Sequence, residues 1–161
     1  MARNSRLNSL PPSWKVLITG FLLALMIGHA VAVLQVHSRT GLDRAKTILY
    51  FRGNEADPDS LQVPQSYGSL VAIAHVHSFS QPMMLALVGF LFVLTGASEK
   101  TKILIILVGL TGSLGHNAGP FLIRYVSAAW VILIELSGVA MLGSFIVMFV
   151  RILRDVWVKE R

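Results

Sequence analysis

The chain has 161 residues, of which 54% are apolar, and carries a net charge of +6 with no cysteine. A soluble domain of this length cannot bury so much apolar side chain, so the surrounding solvent is lipid. The absence of cysteine excludes covalent c-type haem, thiolate-held iron–sulfur or zinc and any disulfide, and the cations flank apolar runs, which speaks for membrane topology rather than nucleic acid.

The first apolar run, from about Trp14 to Gln35, is long enough to cross a hydrocarbon layer of ~30 Å at ~1.5 Å per helical residue. Ala30-Val-Ala32 imitates a signal-peptide cleavage site, but the run exceeds an h-region of ~15 residues, so it is expected to stay as a span. A loop over 36–68 follows. Within it Leu42 to Phe51 (LDRAKTILYF) has helical spacing of apolar and charged residues and is expected to lie along the membrane surface. Gly53 to Pro64 is acidic and turn-rich, hence irregular. Further spans are predicted at about 70–94, 103–125 and 128–150. The links between them are short, Thr95 to Thr101 and little more than Val126-Ser127, which forces antiparallel neighbours. The expected fold is an all-α, single-domain, up-down-up-down four-helix membrane bundle over 1–161.

Nine cations fall on one side of this arrangement: Arg3, Arg6, Lys15, Lys100, Lys102, Arg151, Arg154, Lys159 and Arg161. Five fall on the other, Arg39, Arg44, Lys46, Arg52 and Arg124, and Asp43, Glu55, Asp57 and Asp59 largely offset the four in the loop. Both termini are therefore expected in the cytoplasm and loop 36–68 in the periplasm of a bacterial inner membrane crossed four times. Trp14, Trp130 and Trp157 fall where interface anchors are expected.

An ionisable group at mid-bilayer costs about 3 kcal/mol on insertion scales, so each one asks for a reason. Here they are His29, His75, His77, His116 and Glu135, with His37 at the outer mouth. Counted from span midpoints, His29 lies roughly 7 Å toward the outside, His75 and His77 about 8–10 Å, His116 about 3 Å and Glu135 about 6 Å. Imidazoles from separate helices at similar depth point to b-type haem, which needs two axial nitrogens on facing helices and a wide slot. The small residues beside the candidate ligands, Gly28, Gly112, Gly115 and Gly119, either widen such a slot or let helices pack closely. Arg124 and Arg39 stand at heights suited to haem propionates, and Arg124 alternatively to anchoring at the interface. Pro120 leaves the His116 carbonyl without its helical donor.

His75 and His77 are two apart, about 200° around a helix, and cannot both face one ion there. His77 shares a face with Ser80 and Gln81, His75 with Phe79 and Pro82. An extended segment would instead aim both at a copper or zinc ion, but the flanking apolar residues favour a helix. Gln81 and Glu135 are candidates to orient a ligand, and Glu135 also to relay protons, to pair with His116 or to serve as a protonated hydrogen-bonder. Phosphate-binding loops, nucleophile elbows, HExxH and paired carboxylates are missing from the sequence, and no catalytic residue is assigned.

With these residues the chain resembles small four-helix membrane cytochromes b. The segment Ala74-His-Val-His-Ser-Phe79 with Gln81-Pro82, and Tyr50-Phe-Arg-Gly53 in the loop, also resembles uncharacterised bacterial four-span proteins that accompany c-type cytochromes. The resemblance implies a periplasm-facing redox partner and puts His75 and His77 at the recurrent HxH. The functional expectation is an electron-transfer subunit of a hetero-oligomer, holding one or two b haems through His29 with His116 and His75 or His77. It would pass electrons between quinone, itself a candidate ligand, and a periplasmic cytochrome or larger oxidoreductase. The competing expectations are a cofactor-free accessory subunit of a larger membrane complex and a copper or zinc site at the HxH.

Overall fold

The computed structural model describes residues 7–54, 57 and 60–158; Arg3, Arg6, Glu55, Asp59, Lys159 and Arg161, which entered the charge count, lie outside them. Four helices are long and apolar enough to span a membrane: α1 (Pro12–Thr40), α3 (Tyr67–Val93), α4 (Glu99–Tyr125) and α5 (Val131–Trp157), the last entered through a 3-10 turn at Ala128–Trp130. A shorter helix, α2 (Arg44–Arg52), lies between α1 and α3. Among the described residues there is no strand, and the expected all-helical four-span fold holds.

Local chemistry sets the boundaries. Pro sits at the start of α1, where its missing N–H has no helical acceptor to lose. Asp43, Ser66 and Ser98 cap α2, α3 and α4 by accepting from the backbone N–H of Lys46, Ser69 and Thr101. The turn between α1 and α2 uses two consecutive left-handed residues, Gly41 (φ 62°) and Leu42 (φ 57°), so α2 begins later than its helical pattern, at Arg44. Gly53 ends α2 at φ 75°, and a Cβ there would stand 2.7 Å from the Pro64 nitrogen. Only glycine fits.

In lipid, burial of apolar side chains is not a transfer out of water, so close packing and hydrogen bonds must hold the helices together. The best-packed part is the end that carries both chain termini. There Ile18 and Leu22 of α1 meet Leu85, Val88 and Phe92 of α3 and Met148, Ile152 and Val156 of α5, with Leu7 folded in. The buried Asp155 carboxylate accepts from the Gly96 N–H (2.6 Å) and pairs with Arg151 (3.2 Å), tying the α3–α4 link to α5. Trp157 donates to Thr19 (3.0 Å) under the Lys15 ammonium, and Asn8 donates to the Val158 carbonyl (2.8 Å).

The opposite end is built differently. Beyond His29, every residue of α1 from Ala30 to Arg39 is exposed. The helix packs on α5 near its start and touches α2 near its end. Loop-end order comes from α2 and the following loop: Arg52 donates to the Ile123 carbonyl (3.2 Å), Arg124 to the Gln65 carbonyl (3.3 Å) and Gln65 to the Phe51 carbonyl (3.1 Å). Arg39 donates to the Tyr50 hydroxyl (3.1 Å) and lies over its ring, while Tyr50 and Phe51 meet edge to face. The Tyr50-Phe-Arg-Gly53 run is thus a clasp between α1, α2, α4 and the loop.

Candidate functional site

α3 presents one continuous inward stripe: Leu70, Ala74, His77, Gln81, Leu85, Val88 and Phe92, spaced three and four apart. Most of it is apolar. His77 and Gln81 interrupt it, and α4 answers them with Ser113, His116 and Asn117.

Gln81, 6% exposed, is the hub. Its Oε1 accepts from Ser113 Oγ (2.9 Å) and from Asn117 Nδ2 (2.9 Å), and Asn117 also donates to the Ser113 carbonyl (2.9 Å). Two donors on one oxygen fix which way the amide points. His77 stands one turn before Gln81 on the same inward face of α3, and His116 lies between Ser113 and Asn117 on α4, so both imidazoles belong to the layer that the Gln81 cluster forms. His116 Nδ1 is sealed from solvent and has no hydrogen-bond partner among the described residues. Such an atom in a membrane interior is a donor or a lone pair held ready for something. Pro82 and Pro120 leave the carbonyls of Ser78 and His116 without their usual helical donors in the same layer.

The remaining histidines are elsewhere. His75 is exposed on the lipid side of α3 with its ring edge-on to Phe79 (5.4 Å), so the HxH divides between two faces as helical spacing requires. His29 lies against Phe145 of α5 (4.4 Å between ring centroids) and shares its Nδ1 with the Leu25 carbonyl (2.8 Å). A carbonyl can only accept, so Nδ1 carries the proton and Nε2 keeps the lone pair in the neutral ring. Among the described residues no three of His, Asp and Glu gather as a metal-binding group.

The packing of α4 on α5 sets the depths. Gly109 meets Ser144, Gly112 meets Ser137 and Met141, Gly115 meets Ser137, and Gly119 meets Ile134. Phe145 follows Ser144, so His29 is level with Gly109, seven residues and about 10 Å from His116 along the bundle. The common depth inferred from span midpoints therefore does not extend to His29. The reason is that α1 is longer than its apolar run and slides against α5 by side-chain fit, which midpoint counting ignores.

The glycines serve packing. A Cβ on Gly112 would lie 3.0 Å from both the Met141 nitrogen and the Ser137 carbonyl oxygen, and those on Gly115 and Gly119 would strike Ser137 and Ile134. The space beside His116 on this face is filled by α5, whereas Gly28 faces open space. Glu135 does not pair with His116. It forms a two-point ion pair with Arg44 of α2 (2.9 and 2.5 Å), which neutralises a carboxylate near the loop end of α5. Arg124 lies over the Tyr125 ring (5.3 Å) and uses Nε on Gln65, with no bond from its terminal nitrogens among the described residues.

Sequence reading singled out Gln81 but missed Ser113 and Asn117, which carry no charge to draw notice. Their signal was available: they are four apart on α4, one face, in a chain with few other intramembrane amides.

Residues 41–161 match the model of a family described as a transmembrane helical domain, Aq_1264_TM, and the chain belongs to that family. The match takes in α2 to α5, including His75, His77, Gln81, His116, Arg124 and Glu135, while the whole of α1 with His29 precedes it. No curated protein and no solved structure matches the chain.

Proposed function

We propose that this chain is an electron-transfer subunit of a bacterial inner-membrane complex that holds b-type haem in the His77–His116 layer. Its termini lie in the cytoplasm, and it passes electrons between the quinone pool and a periplasmic cytochrome or larger oxidoreductase. The supporting observation is the sealed Nδ1 of His116, which has no hydrogen-bond partner among the described residues and lies in the layer of the Gln81 cluster, one turn of α3 from His77.

The donor set fits iron, which takes neutral imidazole nitrogen as an axial ligand. Bound haem supplies reversible one-electron exchange. The chain's own residues supply the rest: Gln81, Ser113 and Asn117 tie α3 to α4 one turn from the imidazoles, and Arg124 keeps guanidinium donors for an acidic group. The room for a macrocycle does not come from Gly112, Gly115 and Gly119, which α5 fills. His29 stands in another layer, so the reading is one haem rather than two.

A second reading is favoured by that same closed seam: a cofactor-free accessory subunit, in which the Gln81 cluster only clamps helices together. One spectrum separates the two. Purified protein is expected to show a reduced-minus-oxidised α-band and a pyridine haemochrome, lost in His116→Ala and His77→Ala and kept in His75→Ala. Colourless, metal-free protein overturns the haem reading in favour of the accessory one. Colourless protein with stoichiometric copper or zinc moves the site to a metal ion.

A further inference from the structure

An apolar groove of about 320 Å³ runs between α3 and α4 toward the terminal end, lined by Leu85, Ala86, Gly89, Phe90, Ile106 and Leu110 among others. Its volume is at the lower end of small-molecule sites, roughly 300–1,000 Å³. Its upper edge, at Leu85 and Leu110, is one helical turn from Gln81 and Ser113. Gly89 lines it with nothing within 4 Å of where a Cβ would stand, so this glycine serves no close helix contact.

Gln81 supplies the second, independent observation. Among the described residues both hydrogen bonds it makes are accepted by Oε1, and its amide nitrogen donates to none of those residues, although Gln81 is only 6% exposed. Among the described residues the sealed side-chain polar atoms without a hydrogen bond are His116 Nδ1 and Arg151 Nε. The Gln81 Nε2 group is not one of them, so it keeps some accessible surface. A two-proton donor near the middle of a membrane, above an apolar groove, calls for an acceptor carried on an apolar chain.

We infer that this groove seats a membrane quinone, with a ring carbonyl accepting from Gln81 Nε2 and the isoprenoid tail lying over Gly89 and Ala86. Depth selects the ligand. Gln81 sits near the midpoint of α3, about 15 Å from either edge of the hydrocarbon layer, where phospholipid ester carbonyls do not reach. The groove offers no cation among its lining residues to hold a headgroup phosphate. A quinone is uncharged, ends an apolar tail in a carbonyl ring, and can occupy the midplane. For what the quinone does there, the inference rests on the electron-transfer reading; its binding does not.

The test titrates the full chain, in nanodiscs of quinone-free phosphatidylcholine, with a short-chain ubiquinone and a short-chain menaquinone. Saturable binding at one quinone per chain is expected for at least one of them, with roughly tenfold weaker affinity in Gln81→Leu and in Gly89→Leu. Gly89→Leu fills open space and leaves helicity and monodispersity unchanged, and Gly143→Leu, also facing open space, binds as wild type. Binding that never saturates, that is unaffected by Gly89→Leu, or that short-chain phosphatidylcholine displaces overturns the inference. Haem measured on the same samples keeps the two proposals apart. Quinone bound without haem upholds this one and overturns the haem reading, and haem present without quinone binding overturns this one alone.

Discussion

α4 has two seams, and they are made of different material. Toward α5 it offers Gly109, Gly112, Gly115 and Gly119: at Gly112 the α5 backbone itself occupies the space of a side chain, and beside the others Ser144, Ser137 and Ile134 fill it. Toward α3 it offers Ser113, His116 and Asn117, which meet Gln81 and His77 in a polar layer with donors and a lone pair left over. In lipid the first seam is held by dispersion over a smooth surface, the second by a few directed bonds. A packing seam closes on itself and a binding seam does not, so unspent hydrogen-bonding capacity distinguishes them. The same feature separates a glycine that packs, Gly112, from one that leaves room, Gly89.

Gly112→Leu breaks this comparison most severely. Its Cβ would press on the α5 backbone at 3.0 Å, where nothing can rotate away, and overpacking of this kind costs roughly 1–3 kcal/mol or more. Thermal unfolding in detergent is expected to shift sharply downward, or the variant fails to remain monodisperse. Gly28→Leu, facing open space, is expected to stay within about 0.5 kcal/mol of wild type. Equal behaviour of the two would mean that the α4–α5 seam is not closed.

How far the sequence could be read follows from what each feature depends on. Span number and order depend on long apolar runs and short links, both local, so α1, α3, α4 and α5 were legible. The division of His75 from His77 needed only the helical angle. What was not legible depends on two helices at once. The depth of His29 relative to His116 is set by where α1 fits on α5, and the role of Gly112 by which helix its face meets. Glu135 finds its partner in Arg44, 91 residues away, through a fold-back that no periodicity encodes.

The Arg44–Glu135 pair at the loop end sharpens the comparison from a third side, since it binds α2 to α5 by charge. Hydrogen bonding and attraction from Glu135 raise the Arg44 guanidinium above its already high ordinary value, so the cation persists at any working pH. Acid therefore opens the pair through the carboxylate alone: its contribution is present at neutral pH and lost as pH falls. Arg44→Gln leaves Glu135 charged and uncompensated, and faster amide hydrogen exchange across Arg44–Arg52 is expected. Arg44→Gln with Glu135→Gln should exchange more slowly than Arg44→Gln alone. If the single and double variants exchange alike, the pair is not what holds α2 down.

The smallest effect is expected at His29, and it decides whether depth or residue type defines the site. His29 has the ligand-ready tautomer, with Nδ1 on the Leu25 carbonyl, yet it is about 10 Å from the His116 layer along the bundle. His29→Ala removes the ring tilted against Phe145 from a thinly packed face of α1, so only a slight loss of thermal stability is expected. Haem content and quinone affinity should match wild type within error. Loss of haem in His29→Ala, measured by pyridine haemochrome against His116→Ala, would show that α1 slides outward until all the imidazoles share one plane. The contact of His29 with Phe145 would then have to break.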